Sequence, residues 1–192
     1  KMREAGLEVS IDFSGNIIGR RVGLDNGLKP IVLGSHIDTV PEGGDYDGCV
    51  GSMAALEIAF TLQDLNITTR HPLEFIIYSN EEGGVMGSRA LAGTLTQEAF
   101  KVVNSTGYNM GEGIVRLGGD PSRVKEVQRD EGSIAASFEL HIEQGASLYQ
   151  EDLEIGIVEG IVGIDWYDFR FGGFANHAGT TPMNNRQDAL LA

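Results

Sequence analysis

Residues 30–38 read Pro30-Ile31-Val32-Leu33-Gly34-Ser35-His36-Ile37-Asp38, and residues 73–82 read Leu73-Glu74-Phe75-Ile76-Ile77-Tyr78-Ser79-Asn80-Glu81-Glu82. Each is a short apolar run that ends in polar, chemistry-bearing side chains. Between them, from Cys49 to Gln63, only Glu57 is charged. That stretch is too long for one strand and reads as a largely buried helix. Strand, helix and strand in this order build parallel sheet, so the fold class expected is α/β.

Working outward, residues 7–23 read as a hairpin turning at Ser14-Gly15-Asn16. Residues 88–101 read as a surface helix, and 104–132 are polar, Gly-rich and hard to assign. Ala135 to Ile142 reads as a third strand, followed by Glu143-Gln144-Gly145. From about Glu159 the pattern changes. Gly160-Ile161-Val162-Gly163 is hinge-like, and Trp166 to Phe171 alternates apolar and charged residues as a half-exposed strand does. Pro182 and then Asp188 to Ala192 read as the start of a helix, cut after a turn or two. The expected organisation is a domain over 1–158 and the beginning of a second over 159–192, with the chain a fragment of something longer.

Composition narrows the function. The 192 residues carry 28 Asp+Glu against 14 Lys+Arg, a net charge of −14. Phosphate backbones and anionic membrane surfaces are bound by Lys and Arg, so neither is an expected partner. No apolar run reaches the roughly 18 residues that span a bilayer, and the first residues, Lys1-Met2-Arg3-Glu4, do not resemble a signal peptide. A single cysteine, Cys49, leaves no internal disulfide framework. A reduced, cytoplasmic protein is the default expectation. The triplets Asn66-Ile67-Thr68 and Asn104-Ser105-Thr106 match the glycosylation pattern but mean nothing without secretion.

Ligand sites in open α/β sheets form beyond the carboxyl ends of the strands. Here three apolar runs end in metal-competent groups: His36 with Asp38, Glu81 with Glu82, and His141 with Glu143. In extended chain, His36 and Asp38 at i and i+2 point to one side, so Asp38 suits the carboxylate that holds the second ring nitrogen of a metal-bound histidine. Of two adjacent glutamates, one can bind metal while the other takes a proton from water that the metal has acidified. Asp47 sits in the loop Gly43-Gly44-Asp45-Tyr46-Asp47-Gly48, whose glycines permit close backbone approach. Taken singly, these residues also read as a solvated strand-end histidine, two turn glutamates, an Asx turn and a hydrogen-bonded core histidine. Their coincidence at strand ends favours a metal site. No His-Glu-x-x-His, no phosphate-binding Gly-Lys-Ser/Thr loop and no Gly-x-Ser-x-Gly elbow competes with it.

Five motifs occur in a telling order: Gly34-Ser35-His36-Ile37-Asp38-Thr39-Val40-Pro41, Gly43-Gly44-Asp45-Tyr46-Asp47-Gly48, Glu81-Glu82-Gly83, His141-Ile142-Glu143-Gln144-Gly145, and Asn176-His177-Ala178-Gly179-Thr180-Thr181-Pro182-Met183. Together they resemble the N-carbamoyl-L-amino acid hydrolase, β-ureidopropionase and allantoate amidohydrolase family, within the dimetal aminoacylase–carboxypeptidase superfamily. The wider superfamily usually has aspartate where His141 stands. The resemblance implies a zinc-peptidase-like catalytic domain followed by an α+β lid and dimerisation domain. It implies His36, Glu82 and His141 as metal ligands, Asp47 as the bridge, Asp38 as the orienter of His36 and Glu81 as general base. It implies two divalent ions, zinc first, with manganese, cobalt or nickel as alternatives suited to mixed His and carboxylate donors. Gln144 would contact a ureido acid substrate, and His177 would reach the active site of the partner in a homodimer to stabilise an oxyanion. Gly83 to Arg89 is shorter than the family's Arg-Phe-containing loop. The family's remaining histidine ligand and its substrate-carboxylate arginine would lie beyond this sequence. An aminoacylase or peptidase of the same superfamily, and a metal-binding module without turnover, are the alternatives.

Overall fold

The computed structural model describes residues 1–103 and 107–191. The triplet at 104–106 and the terminal Ala192 lie outside the described residues. The chain forms two compact units, Lys1–Ala146 and Ser147–Ala192. The expected boundary near residue 158 lies within the second unit.

The first unit is built on one mixed five-stranded sheet in the spatial order Glu8–Ile11, Ile17–Arg21, Leu73–Tyr78, Ile31–His36, Ala136–Phe138. The strands β1 (Glu8–Ile11) and β2 (Ile17–Arg21) form the antiparallel hairpin read from the sequence. The Asp12 carboxylate closes its turn, accepting from the backbone and side chains of both Ser14 and Asn16 at 2.8–3.0 Å. The central strands β3 (Ile31–His36) and β4 (Leu73–Tyr78) pair in parallel, in a register that sets His36 beside Tyr78. The helix α1 (Cys49–Asp64) makes the crossover between them. Both strands and the helix match the α/β reading.

Alternation along β4 divides the core. Leu73 and Phe75 join Ala5, Leu7, Ala55 and Ala59 in the cluster under α1, while Ile76 meets Ile18 and Val32 on the other face. A third cluster joins Met86 and Ala90 of α2 (Met86–Leu91), Ile114 of α3 (Met110–Arg116) and Val124. Among the described residues no helix is long and apolar enough to cross a membrane.

Five expectations need correction. The helix α1 is not largely buried. Its stripe of small residues Gly51, Ser52, Ala55 and Ala59 lies against the sheet, whereas Met53 and Ile58 are exposed, because the helix covers a single sheet face. The helix expected over 88–101 is the shorter α2. Gly93, at φ 72°, takes the left-handed conformation that ends helices, and only a 3₁₀ turn at Ala99–Lys101 follows. The third strand is reduced to β5 (Ala136–Phe138), parallel to β3. Past Phe138 the chain leaves the ladder: Glu139 accepts from the Ser35 hydroxyl at 2.7 Å, and the Leu140 carbonyl turns in over Gly51 of α1. In the second unit, 166–171 forms no strand. An alternating pattern needs a neighbouring strand, and the described residues of that unit offer one isolated bridge, Phe174 to Gln187. The terminal helix is present as 3₁₀ turns at Met183–Asn185 and Ala189–Leu191, since so short a segment cannot meet the cost of α-helix nucleation.

One core residue had no place in the apolar reading of β4. Glu74 is buried, and its carboxylate takes Arg129 at 2.5 Å and Arg20 at 3.1 Å. Arg129 is itself mostly buried and Arg20 is largely exposed. Removing one member of a buried pair strands the other charge, whereas an exposed arm contributes little. Glu74→Ala should therefore lower unfolding stability by about 3 kcal/mol, and Arg20→Ala by under about 1 kcal/mol. Urea denaturation of both variants checks this; equal losses would contradict the assignment.

Candidate metal centre

The site begins at the end of β3, where His36 is 2% exposed. Three main-chain devices hold it. The Ser52 hydroxyl of α1 donates to the His36 carbonyl at 2.8 Å. The His36 Nδ1 pairs with the Asp38 carbonyl at 2.9 Å. Gly48, at φ 63°, passes so close that a Cβ there would overlap the imidazole ring. A carbonyl can only accept, so Nδ1 carries the proton and the Nε2 lone pair faces inward.

His141 is built alike from the arm after β5. Its Nδ1 pairs with the Ile142 carbonyl at 2.9 Å, leaving Nε2 free to face Asp47. The Asp47 Oδ1 lies 3.1 Å from Nε2 of His141 and 3.7 Å from Nε2 of His36. That oxygen is buried and makes no hydrogen bond. The other carboxylate oxygen of Asp47 accepts from Gln144 Nε2 at 2.6 Å. Gln144 holds φ 56°, a conformation that residues other than glycine adopt at some cost.

His36, Asp47 and His141 thus bring three donor atoms within 4.8 Å of one another. Two imidazole lone pairs aimed at an unsatisfied carboxylate oxygen repel one another unless a cation lies between them. The donor set fits a divalent transition metal with N and O ligands.

The remaining expected residues divide. The Glu81 carboxylate lies 3.9 Å from His36 Nε2, at the edge of the cluster. Partial burial pushes its carboxyl above the usual range; Glu82, Asp38 and Glu139 add to this, and His36 opposes it. Asp38 holds His36 through its carbonyl, whereas the sequence pointed to its carboxylate. One carboxylate oxygen stands 3.7 Å from Nδ1, and the other accepts the Glu82 amide at 3.0 Å. The Glu82 side chain lies outside the three-residue group. His177 belongs to the second unit, where its Nδ1 accepts the amides of Gly179 and Thr180 at 3.1 and 3.2 Å.

Sequence reading missed Ser52, Gly48 and the Ser35–Glu139 bond. Gly48 ends a loop already noted for close backbone approach, and its partner was the only unknown. Ser52 had no local signal, because the carbonyl it holds is sixteen residues away.

A parallel βαβ unit with His and carboxylate donors converging beyond its strand ends defines the class: an α/β domain with a candidate metal centre. The chain matches Peptidase family M20/M25/M40 over residues 32–191 and belongs to that family. It is 42% identical to an N-carbamoyl-L-amino acid amidohydrolase of Geobacillus stearothermophilus, covering 100% of this chain and 48% of the relative. It is 37% identical to a ureidoglycolate hydrolase of Arabidopsis thaliana, over 100% of this chain and 42% of that protein. Among solved structures, a hydantoinase/carbamoylase family amidase from Burkholderia ambifaria superposes with a TM-score of 0.72 at 37% identity, covering 99% of this chain and 47% of that one. The chain therefore spans about half the length of the curated relatives it matches.

Because the His36 ring packs against Gly48, Gly48→Ala should displace it. Zinc affinity, measured by competition with a chromogenic chelator, should fall roughly tenfold to a hundredfold. Unchanged affinity would mean that His36 does not contribute to metal binding.

Proposed function

We propose that the protein carrying this sequence is a metal-dependent amidohydrolase that cleaves the linear C–N bond of a ureido acid, with N-carbamoyl-L-amino acids as the leading substrates. It would release ammonia and, directly or through carbamate breakdown, carbon dioxide. The observation that carries this reading is the unsatisfied Asp47 Oδ1 between two inward-facing histidine nitrogens. His36, Asp47 and His141 would hold metal, and Glu82 would join them once its side chain turned inward. Two ions are proposed, with Asp47 among the residues that would hold them and zinc the first choice for this donor set. Bound there, a metal would supply Lewis acidity toward the ureido carbonyl and toward water.

The protein's own part is proton transfer and orientation. Glu81 would take a proton from the attacking water as oxygen adds to the ureido carbon, then return it to the nitrogen that leaves. Its partial burial suits a carboxylate that must accept a proton and release it within one turnover. Asp38, bound to both His36 and the Glu82 amide, fixes the spacing between strand ends. Gln144 steadies Asp47 and would lie against the substrate.

His177 accepts two amides on Nδ1, which leaves Nε2–H as an outward donor of the kind that stabilises an oxyanion. Its proposed place is the active site of a second copy, in a cytoplasmic homodimer. The large apolar side chains of 155–174, among them Ile161 at 93% and Trp166 at 91% exposure, are consistent with a covered state in such an assembly.

In the intact protein, Glu81→Gln should retain metal and lose about 100-fold or more in kcat on N-carbamoyl-L-amino acids. Glu82→Gln should instead lose metal, measured by elemental analysis. Near-normal turnover by Glu81→Gln removes it as the base, and full metal occupancy in Glu82→Gln removes Glu82 from the ligand set.

A further inference from the structure

Asn16 stands one residue before β2, at the turn of the hairpin, and is fully buried. Its side-chain amide reaches out of the hairpin to the segment Ser79–Gly87, which leaves β4 and enters α2. The Oδ1 atom accepts the Ser79 amide at 2.9 Å, and Nδ2 donates to the Gly87 carbonyl at 3.2 Å. The two ends of the segment are thereby joined through one side chain. Nδ2 also donates to the Asp12 carboxylate at 2.9 Å and to the Ser14 hydroxyl at 3.0 Å, so Asn16 is itself fixed from behind. The Ser79 hydroxyl adds a bond to the Ser14 carbonyl at 2.8 Å. Gly87 passes so close that a Cβ there would overlap Asn16 Oδ1.

The segment carries Glu81 and Glu82, and its conformation is not one the chain adopts unaided. Asn80 and Val85 hold φ 47° and 55°, left-handed values that are unfavourable for most side chains and most so for a β-branched one. Such residues persist where the surroundings over-determine them. Here the restraints are Asn16 at both ends, the backbone bonds from Met86 to Asn80 and from Gly87 to Ser79, and the Glu82 amide on Asp38 in the middle. Asparagine suits the place because its amide offers an acceptor and a donor in one plane. Aspartate would set a second carboxylate against Asp12 and an acceptor against the Gly87 carbonyl. Glu81, whose carboxylate lies 3.9 Å from His36 Nε2, is two residues from the Ser79 amide that Asn16 holds.

We propose that Asn16 is a positioning residue for hydrolysis. It acts through the backbone of Ser79–Gly87, clamping both ends of that segment and so setting the Glu81 carboxylate opposite His36. The proposal rests on the hydrolytic reading above and gives a role to a residue whose sequence context marks only a turn.

The test uses the intact, zinc-loaded protein with N-carbamoyl-L-alanine, and the metal-free protein for hydrogen exchange. Asn16→Ala should lower kcat roughly 100-fold, the scale set by small misplacements of a reacting group, with KM moved by less than about threefold. Gly87→Ala breaks the same clamp from the other side, and the double variant should be no worse than the weaker single one. In metal-free Asn16→Ala the Met86 and Gly87 amides, which bond Asn80 and Ser79, should exchange about tenfold faster or more relative to the amides of β4. Glu74→Ala, destabilised elsewhere, should leave kcat unchanged. If Asn16→Ala does not fold, judged by its unfolding curve, Asn16→Asp keeps the volume, loses the donor to Gly87 and decides in its place. A kcat near that of the unsubstituted protein, unchanged exchange at Met86 and Gly87, losses that multiply in the double variant, or an equal loss of kcat in Glu74→Ala each overturns the proposal. If the unsubstituted protein turns over no ureido acid, the hydrolytic reading fails, and the exchange rates still decide whether Asn16 holds the segment.

Discussion

The parallel pairing of Ile31–His36 with Leu73–Tyr78 is the constraint on which the rest depends. It places the ends of two buried strands side by side, His36 against Tyr78, so the residues just beyond each end share one rim. From one strand come His36 and Asp38, and from the other Glu81 and Glu82. The bond from the Glu82 amide to the Asp38 carboxylate ties those two exits together directly. Parallel strands need a crossover, and α1 supplies it with a small-residue stripe that lets helix and sheet approach closely. The first turn of that helix also brings Ser52 to the His36 carbonyl. Packing and site geometry are therefore one arrangement.

The candidate metal centre is assembled around polar groups that the fold would otherwise leave in conflict. A buried carboxylate oxygen without a hydrogen bond is costly, and two imidazoles whose Nδ1 atoms are committed to main-chain carbonyls present only lone pairs to it. A bound cation would remove the conflict. The same logic separates this cluster from Glu74, a buried carboxylate whose charge is answered by Arg129 and Arg20. Glu74 is satisfied by the protein, whereas Asp47 keeps one buried oxygen without a hydrogen bond.

Much of this was legible in the sequence for identifiable reasons. The strands β3 and β4 are apolar runs with sharp polar ends, and the crossover is a long stretch with one charge, so the α/β reading needed only period and length. His36, Asp47 and His141 were singled out because strand-end histidines and a Gly-flanked aspartate are chemically unusual together. What could not be read depends on contacts between distant segments. Met53 and Ile58 are apolar and on a core helix, but exposed, because burial depends on whether a second layer covers them. Residues 166–171 alternate like a strand yet form none, since a strand exists only with a neighbour.

The sequence by itself determined the class, the central βαβ unit and a set of candidate metal-binding groups, because these follow from local periodicity and from side-chain chemistry. Tertiary structure decided how those groups are used. It assigned the Asp38 carbonyl, not its carboxylate, to His36, and left the Glu82 carboxylate outside the three-residue cluster while Glu81 stands at its edge. It bent the chain after Phe138 out of the sheet and so delivered His141 to Asp47. The physical reason is that which lone pair faces which is set by segments as far as 104 residues apart in sequence packing against each other, and no single segment contains that information.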